Sequence, residues 1–242
     1  MDPLVLYVVG VVFVATLVRS TVGFGEALVA VPLLALRVPV VTAVPLAALL
    51  SVAIAAGVVV QDHREIERRS AAWLVAATLP GIPLGLWLLD AADDHVVKAV
   101  LAAVIGAFSI YSLVARRPPQ LAHDSRAALV GAGFAAGVLG GAYGMNGPPL
   151  VLYGALRRWP APVLRATLQA YFLPASLLAV VGYGVTGLLV PEVWRDAASC
   201  VPGAAVAFVL GRVLNRRLAG RDFARFVFAG LLVIAVLLVV ES

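Results

Sequence analysis

The stretch Gly140-Gly141-Ala142-Tyr143-Gly144-Met145-Asn146-Gly147-Pro148-Pro149 decides how this chain folds. It lies inside an apolar segment with arginines at both ends, Arg126 on one side and Arg157-Arg158 on the other. Short loops that retain positive charge stay on one side of a bilayer, so a segment bounded by two of them must enter and return. Glycine and proline at this density end a helix, which makes the quoted stretch the turning point.

Working outward, a second interruption stands in the N-terminal apolar run 1–36, at Arg19-Ser20-Thr21-Val22-Gly23-Phe24-Gly25-Glu26. As one helix that run would be about 50 Å long, too long for a hydrocarbon core about 30 Å thick. Between and after the two interruptions lie plain apolar spans at 40–60, 70–89, 96–115, 163–190, 197–211 with its flanks, and 223–240. The chain is 62% apolar and 13% charged, against about 45–50% and about 25% in soluble domains. That balance leaves no room for a separate soluble domain. The start, Met1-Asp2-Pro3, lacks a basic n-region, so the first apolar stretch is expected to stay as structure.

The net charge of +5 does not form a stripe with interleaved aromatics, which argues against a nucleic-acid partner. Most of the arginines fall in four short clusters: Arg64, Arg68 and Arg69; Arg116, Arg117 and Arg126; Arg157, Arg158 and Arg165; Arg212, Arg216, Arg217, Arg221 and Arg225. These are placed in the cytoplasm, and the acidic connections 90–94 and 192–196 outside. Each half then reads as a re-entrant pair of half-helices followed by three spanning helices. The expected fold is an all-α polytopic membrane protein of two inverted repeats, 1–118 and 119–242, within one membrane domain. An internal match fits: Gly23 and Gly144 are each followed fourteen residues later by an arginine (Arg37, Arg158) and sixteen later by a proline (Pro39, Pro160). The alternative treats 1–36 and 127–157 as kinked spanning helices, giving eight spans and parallel repeats. It puts 157–165 or 211–225 outside, against the charge rule.

Irregular backbone at membrane depth needs protein or a wet cavity around it, so two breaks predict a cavity. First arms over 4–18 and 127–141 would reach about 20 Å and return arms about 12 to 15 Å, placing both turns near the midplane. The return arms begin there with free N–H donors and a partial positive charge. Asn146 is read as an N-cap with Gly147 and Pro148 opening the helix, and Gly23 and Gly25 let backbone approach a ligand. Two such N-termini suit an oxyanion such as sulfite, a sulfonate or a carboxylate. A metal is not expected, since no His/Cys/Asp/Glu cluster has ligand spacing.

Arg19 and Glu26 are the charges inside the apolar arms, and charges at that depth are functional hypotheses. Arg19 contacts the anion or pairs with Glu26, and Glu26 titrates to couple a proton to anion movement. The competing reading is a structural ion pair that holds the broken segment together. Ser20, Thr21, Tyr143, Gly144 and Gln169 complete the expected substrate contacts, although Gln169 also reads as a link between helices. Gly131, Gly133, Gly137 and Gly141 have the spacing of close helix packing. Cys200 reads as a packing residue, Trp73, Trp87, Trp159 and Trp194 as interfacial anchors, and Asp62, His63 and His95 as loop residues.

The stretches Gly23-Phe24-Gly25-Glu26-Ala27-Leu28-Val29-Ala30-Val31-Pro32-Leu33-Leu34 and Gly140 to Leu150 resemble the paired glycine/proline motifs of the TauE/SafE sulfite exporter family. The likeness in layout spans essentially the whole chain, one motif in each half. It implies a permease for sulfite, sulfonates such as sulfoacetate, or related anions. Glu26 departs from the family pattern, in which glycine is common at that position; a protonated acid there would tolerate an anion. The expected setting is the inner cell membrane, multi-pass, with no cofactor and with a homo-oligomer as an allowed assembly. The rivals are an anion channel and an integral-membrane enzyme acting on lipid phosphates. The enzyme would have to use Asp90, Asp93 and Asp94, which read better as a solvated connection.

Overall fold

The structure, a computed structural model, describes residues 3–62, 65–114, 125–217 and 221–241, without the side chains of 60–62, 216–217, 221–226 and 239–241. His63, Arg64, Arg116, Arg117 and the expected 118/119 boundary lie outside the described residues. The elements are α1 (Pro3–Val22), α2 (Glu26–Ala35), α3 (Val40–Asp62), α4 (Arg68–Thr78), α5 (Gly81–Ala91), α6 (Asp94–Val114), α7 (Arg126–Tyr143), α8 (Gly147–Leu156), α9 (Ala161–Val185), α10 (Pro191–Arg217) and α11 (Arg221–Glu241). Among the described residues, six helices are long and apolar enough to cross a membrane, or seven if α4 and α5 are taken as one bent span.

Polarity is arranged inside out. Val114, Val181 and Val236 are exposed, as is Val185 at 83%, while Arg19, Glu26, Asn146 and Gln169 are all buried. An exterior this apolar is stable only against lipid, and it leaves the polar groups to satisfy one another inside. Trp73, Trp87 and Trp194 are exposed on that exterior, and Trp159 stacks edge-on against Tyr153 with centroids 5.6 Å apart.

The run 70–89, expected as one span, is two helices bent by 44° at Leu79-Pro80. Pro80 has no N–H to continue the ladder and its ring crowds the carbonyl one turn earlier. Across the bend, α4 and α5 both follow α7. Methyl groups added at Gly133, Gly137 and Gly141 would lie 2.8, 2.4 and 2.4 Å from the carbonyl oxygens of Leu74, Thr78 and Ile82, so glycine lets the backbones touch. The pairs advance together along both chains, so the helices run parallel. Gly131 is off this face and meets nothing within 4 Å, a correction to the four-glycine expectation. The opposite seam is also parallel. Along it, α1 lies on α10, with Gly203 by Val9 and Gly211 against Leu17 and Ser20.

The first arms are longer than the sequence suggested. At 20 and 18 residues, α1 and α7 are about 30 and 27 Å long, while the 10-residue α2 and α8 are about 15 Å. Helix continues through Arg19 to Val22 because that arginine finds buried partners, and through Gly140 and Gly141 because close packing replaces the missing side chains. Each short helix turns back on its predecessor. The Tyr7 hydroxyl near the start of α1 donates to the Leu33 carbonyl near the end of α2 at 2.5 Å, whereas a collinear continuation would separate the two residues by about 39 Å. Likewise Tyr153 and Arg157 at the end of α8 share a pocket with Arg126 and Leu129 at the start of α7.

With α4–α5 counted as one, five units precede residues 115–124 and five follow. The first unit of each set packs on the fourth of the other, α3 packs on α9, and α6 on α11. Gly23 and Gly144 both end a first arm with positive φ, +97° and +66°. Arg37 and Arg158 both sit in the turn after the short helix, and Pro39 and Pro160 both lead into the next long one. Two loop expectations are corrected: Asp62 ends α3, and His95 lies inside α6, whose first residue Asp94 pairs with Lys98 at 2.8 Å.

Candidate functional site

The two breaks meet. Gly25, Glu26, Ala27 and Leu28 from the first and Gly144, Met145, Asn146 and Gly147 from the second line one cavity, closed by Arg19, Ser51 and Phe172. The space open to the centre of a water molecule is about 20 Å³, little more than the roughly 10–15 Å³ that one water needs.

The break after α1 is held by one backbone bond, Gly23 N–H to the Arg19 carbonyl at 2.7 Å, and by a side chain. Gly23 and Gly25 both take left-handed φ, +97° and +95°, a region glycine enters without strain. The Gly23 carbonyl, left without a helical partner, accepts from Gln169 Nε2 at 2.6 Å. The break after α7 is closed by its own backbone: Gly144 N–H donates to the Gly140 carbonyl at 2.9 Å and Met145 N–H to Leu139 at 3.1 Å, the 5→1 bond of an αL ending with one further amide bond. The Tyr183 hydroxyl adds a donor within 3.0 Å of the Gly140 carbonyl and 2.9 Å of Gly141.

Asn146 stands at the N-cap position of α8 but its side chain makes no capping bond. An N-cap side chain bonds the N–H of the second or third helical residue, and here those are Pro148 and Pro149, which have none. The amide packs instead against Gly140 and lies 3.5 Å from the Tyr171 hydroxyl. The tyrosine is itself held by Thr78 Oγ1 at 2.7 Å.

Arg19 and Glu26 form an ion pair, Nη1 to Oε2, with side chains only 3% and 4% exposed. Arg19 Nη1 also donates to Ser51 Oγ at 2.6 Å and Nη2 to Gln169 Oε1 at 2.8 Å. Its guanidinium carbon stands 5.2 Å from the centroid of the Phe172 ring, within cation–π range. Ser176 Oγ donates to Ser51 Oγ at 3.2 Å. Among the described residues, Arg19 Nε and Glu26 Oε1 are buried without a hydrogen-bond partner. A buried carboxylate oxygen left unpaired is costly, so the pair is not at a fully satisfied minimum.

Of the residues the sequence singled out, Arg19, Gly25, Glu26, Gly144, Asn146 and Gly147 line the cavity. Gly23 and Gln169 stand behind Arg19 and hold it. Ser20 and Thr21 turn to α10, where Thr21 Oγ1 lies 3.3 Å from the Gly211 carbonyl. The Tyr143 hydroxyl is spent on the Val97 carbonyl at 3.1 Å. Sequence reading missed Ser51 and Phe172. Ser51 carried a usable signal, a single hydroxyl in the middle of the apolar span 40–60; Phe172, one aromatic among many, carried none. No group of three or more potential metal ligands is found among the described residues.

A helical bundle with a lipid-facing exterior, whose buried charges gather at a small cavity between two broken helices, defines a class: a multi-pass membrane transporter. The family follows from residues 8–238, which match the sulfite exporter TauE/SafE family, and the chain belongs to it. A similar protein is the probable sulfite/organosulfonate exporter TauE of Cupriavidus necator, 28% identical over 178 residues that cover 72% of this chain and 69% of the relative. No solved structure matches the chain.

Proposed function

We propose that this protein is a secondary transporter that exports a small sulfur oxyanion, sulfite or a sulfonate such as sulfoacetate, bound in the cavity between α2 and α8. The observation that carries the reading is the position of Arg19: it borders the space where both breaks meet, and its main partner is a carboxylate that a proton can neutralise. An entering oxyanion takes the place of Glu26 on Nη1, keeps Ser51 as a neighbour, and faces the positive end of α2. Protonated Glu26 no longer competes for the guanidinium. Proton and anion are then bound together and cross in the same direction, outward where the anion's outward gradient exceeds the opposing proton gradient.

The cavity is too small for a four-atom oxyanion as it stands. A site this narrow supports a carrier that must widen over a channel that stands open. The reciprocal packing of the two sets of five units, with Gly23 and Gly144, Arg37 and Arg158, and Pro39 and Pro160 at matching turns, supports the reading of 1–118 and 119–242 as inverted repeats. The charge rule supports an orientation with the basic loops inside, in keeping with a setting in the inner cell membrane.

The test is flux of sulfite, sulfoacetate, sulfate and a carboxylate into proteoliposomes, with and without a pH gradient. Saturable, pH-driven flux of a sulfur oxyanion is expected, lost in Arg19→Gln, with the pH response lost in Glu26→Gln. If Glu26→Gln keeps both rate and pH response, proton coupling through that acid is wrong; if no anion moves, the substrate class is wrong.

A further inference from the structure

The two breaks lie toward opposite faces of the bundle. At the first, Asn215 Nδ2 near the end of α10 donates to the Thr21 carbonyl, and a methyl on Gly23 would stand 2.9 Å from Arg165 Cγ near the start of α9. At the second, the Tyr143 hydroxyl reaches the carbonyl of Val97, in the first turn of α6. Because α4 and α5 run parallel to α7 and α8 turns back along it, α6 begins on the face where α7 ends, and α9 on the face where α7 starts.

One bulky apolar residue follows each left-handed glycine, Phe24 after Gly23 and Met145 after Gly144. Phe24 Cδ2 lies 3.6 Å from where a methyl on Gly147 would be, so its ring rests on the opening turn of α8, a wall of the central cavity. On its other side the ring meets Phe108 and Phe228, with centroids 6.5 and 6.4 Å away. Phe108 stands fourteen residues along α6, about 21 Å from that helix's start, so the three rings lie toward the face where α9 begins. Phe24 is half-buried, and glycine on both sides, at φ +97° and +95°, lets its backbone swing without a side-chain clash. Met145 borders the cavity from the opposite direction and is 1% exposed; its unbranched side chain moves by rotamer change alone.

We propose that Phe24 and Met145 are the two gates of the central cavity, Phe24 toward the face where α9 begins and Met145 toward the face where α6 begins. The inference rests on the transporter reading above. Displacing one residue while the other stays in place opens the cavity to a single face, which alternating access requires.

The test is labelling of a thiol in the cavity wall, read without any anion. Cys200, the single cysteine of the chain, is replaced by alanine, and Ala27, which lines the cavity, by cysteine. A membrane-impermeant thiol reagent is added to either side of reconstituted vesicles. A separate Thr186→Cys protein, exposed where α9 ends, reports which side is which. Labelling at position 27 should be slow from both sides. Phe24→Ala should speed it about tenfold from the face where α9 begins and leave the other face unchanged; Met145→Ala should do the reverse. Phe24→Leu and Met145→Leu, which keep an apolar bulk, should stay near the parent rate. If an alanine variant does not fold, Phe24→Cys and Met145→Cys, each as the sole thiol, should label from their own faces only. Faster labelling from both faces, from the wrong face or from neither overturns the gates. Sided labelling upholds them even if no sulfur oxyanion is carried, an outcome that counts against the substrate alone; anion flux without sided labelling overturns the gates and leaves the transporter reading in place.

Discussion

The breaks after α1 and after α7 are the same backbone event with opposite side-chain chemistry. Both end a long helix on a left-handed glycine and start a 10-residue return. The first carries an arginine and a glutamate seven residues apart and borrows Gln169 from α9 to close it. The second carries no charge, has one more amide closure than the first, takes the Tyr183 hydroxyl of α9 on its carbonyls and fills the space beside Gly140 with Asn146. Backbone breaks make the cavity, and side chains decide what it binds. Here one break brings the charge while the other brings a firm neutral wall.

The sharpest way to break this contrast is Arg19→Ala. It strands Glu26 in the interior and should cost about 3–5 kcal/mol, seen as a large drop in the unfolding midpoint in detergent. The paired Arg19→Met, Glu26→Leu protein should recover most of that stability and none of the flux. Equal instability in single and double variants would show that the pair holds the break for reasons other than charge. Next comes the seam that supports the neutral break. A methyl at Gly85 would lie 2.2 Å from the Val138 carbonyl oxygen, and since backbone cannot step aside, Gly85→Ala should cost about 3 kcal/mol. Gly131→Ala, in open space, should stabilise α7 by up to about 1 kcal/mol.

Smaller effects sharpen the contrast between the two closures. Gln169→Leu removes the donor to Gly23 and an acceptor from Arg19, an expected loss of about 2 kcal/mol. Asn146→Leu removes only a 3.5 Å contact to a tyrosine that keeps Thr78, an expected loss under about 1 kcal/mol. Thermal unfolding orders these two, and flux should separate them again, because Asn146 borders the cavity and Gln169 does not. If Asn146→Leu destabilises more than Gln169→Leu, the second break depends on its side chain after all.

How far this could be foreseen differs residue by residue. The spans and both turning points were legible because hydrophobic length and glycine/proline density are local properties. The partnership of Arg19 with Glu26 was legible too, since two charges in one apolar run have few other places to go. The bend at Pro80 was not read from the sequence, where 70–89 stands as one span, because a proline in a long apolar run is compatible with a straight span when a neighbour compensates. The failure of Asn146 to cap was also readable in principle, from the two prolines that follow it. That α1 lies along α10 and α4–α5 along α7 was not readable, because which helices adjoin depends on shapes distant in the chain. Ser51 and Phe172 enter the cavity only through that arrangement.

The bend between α4 and α5 has a consequence for kinetics. The wall that travels with α7 is jointed at Leu79-Pro80, whereas α10, its counterpart beside α1, runs on as one helix of 27 residues through its own Pro202. A carrier with one broken and one continuous wall opens to its two faces over barriers of different height. Flux measured from the two sides of the same membrane should therefore differ in half-saturation and in temperature dependence, a rectification that originates in one joint.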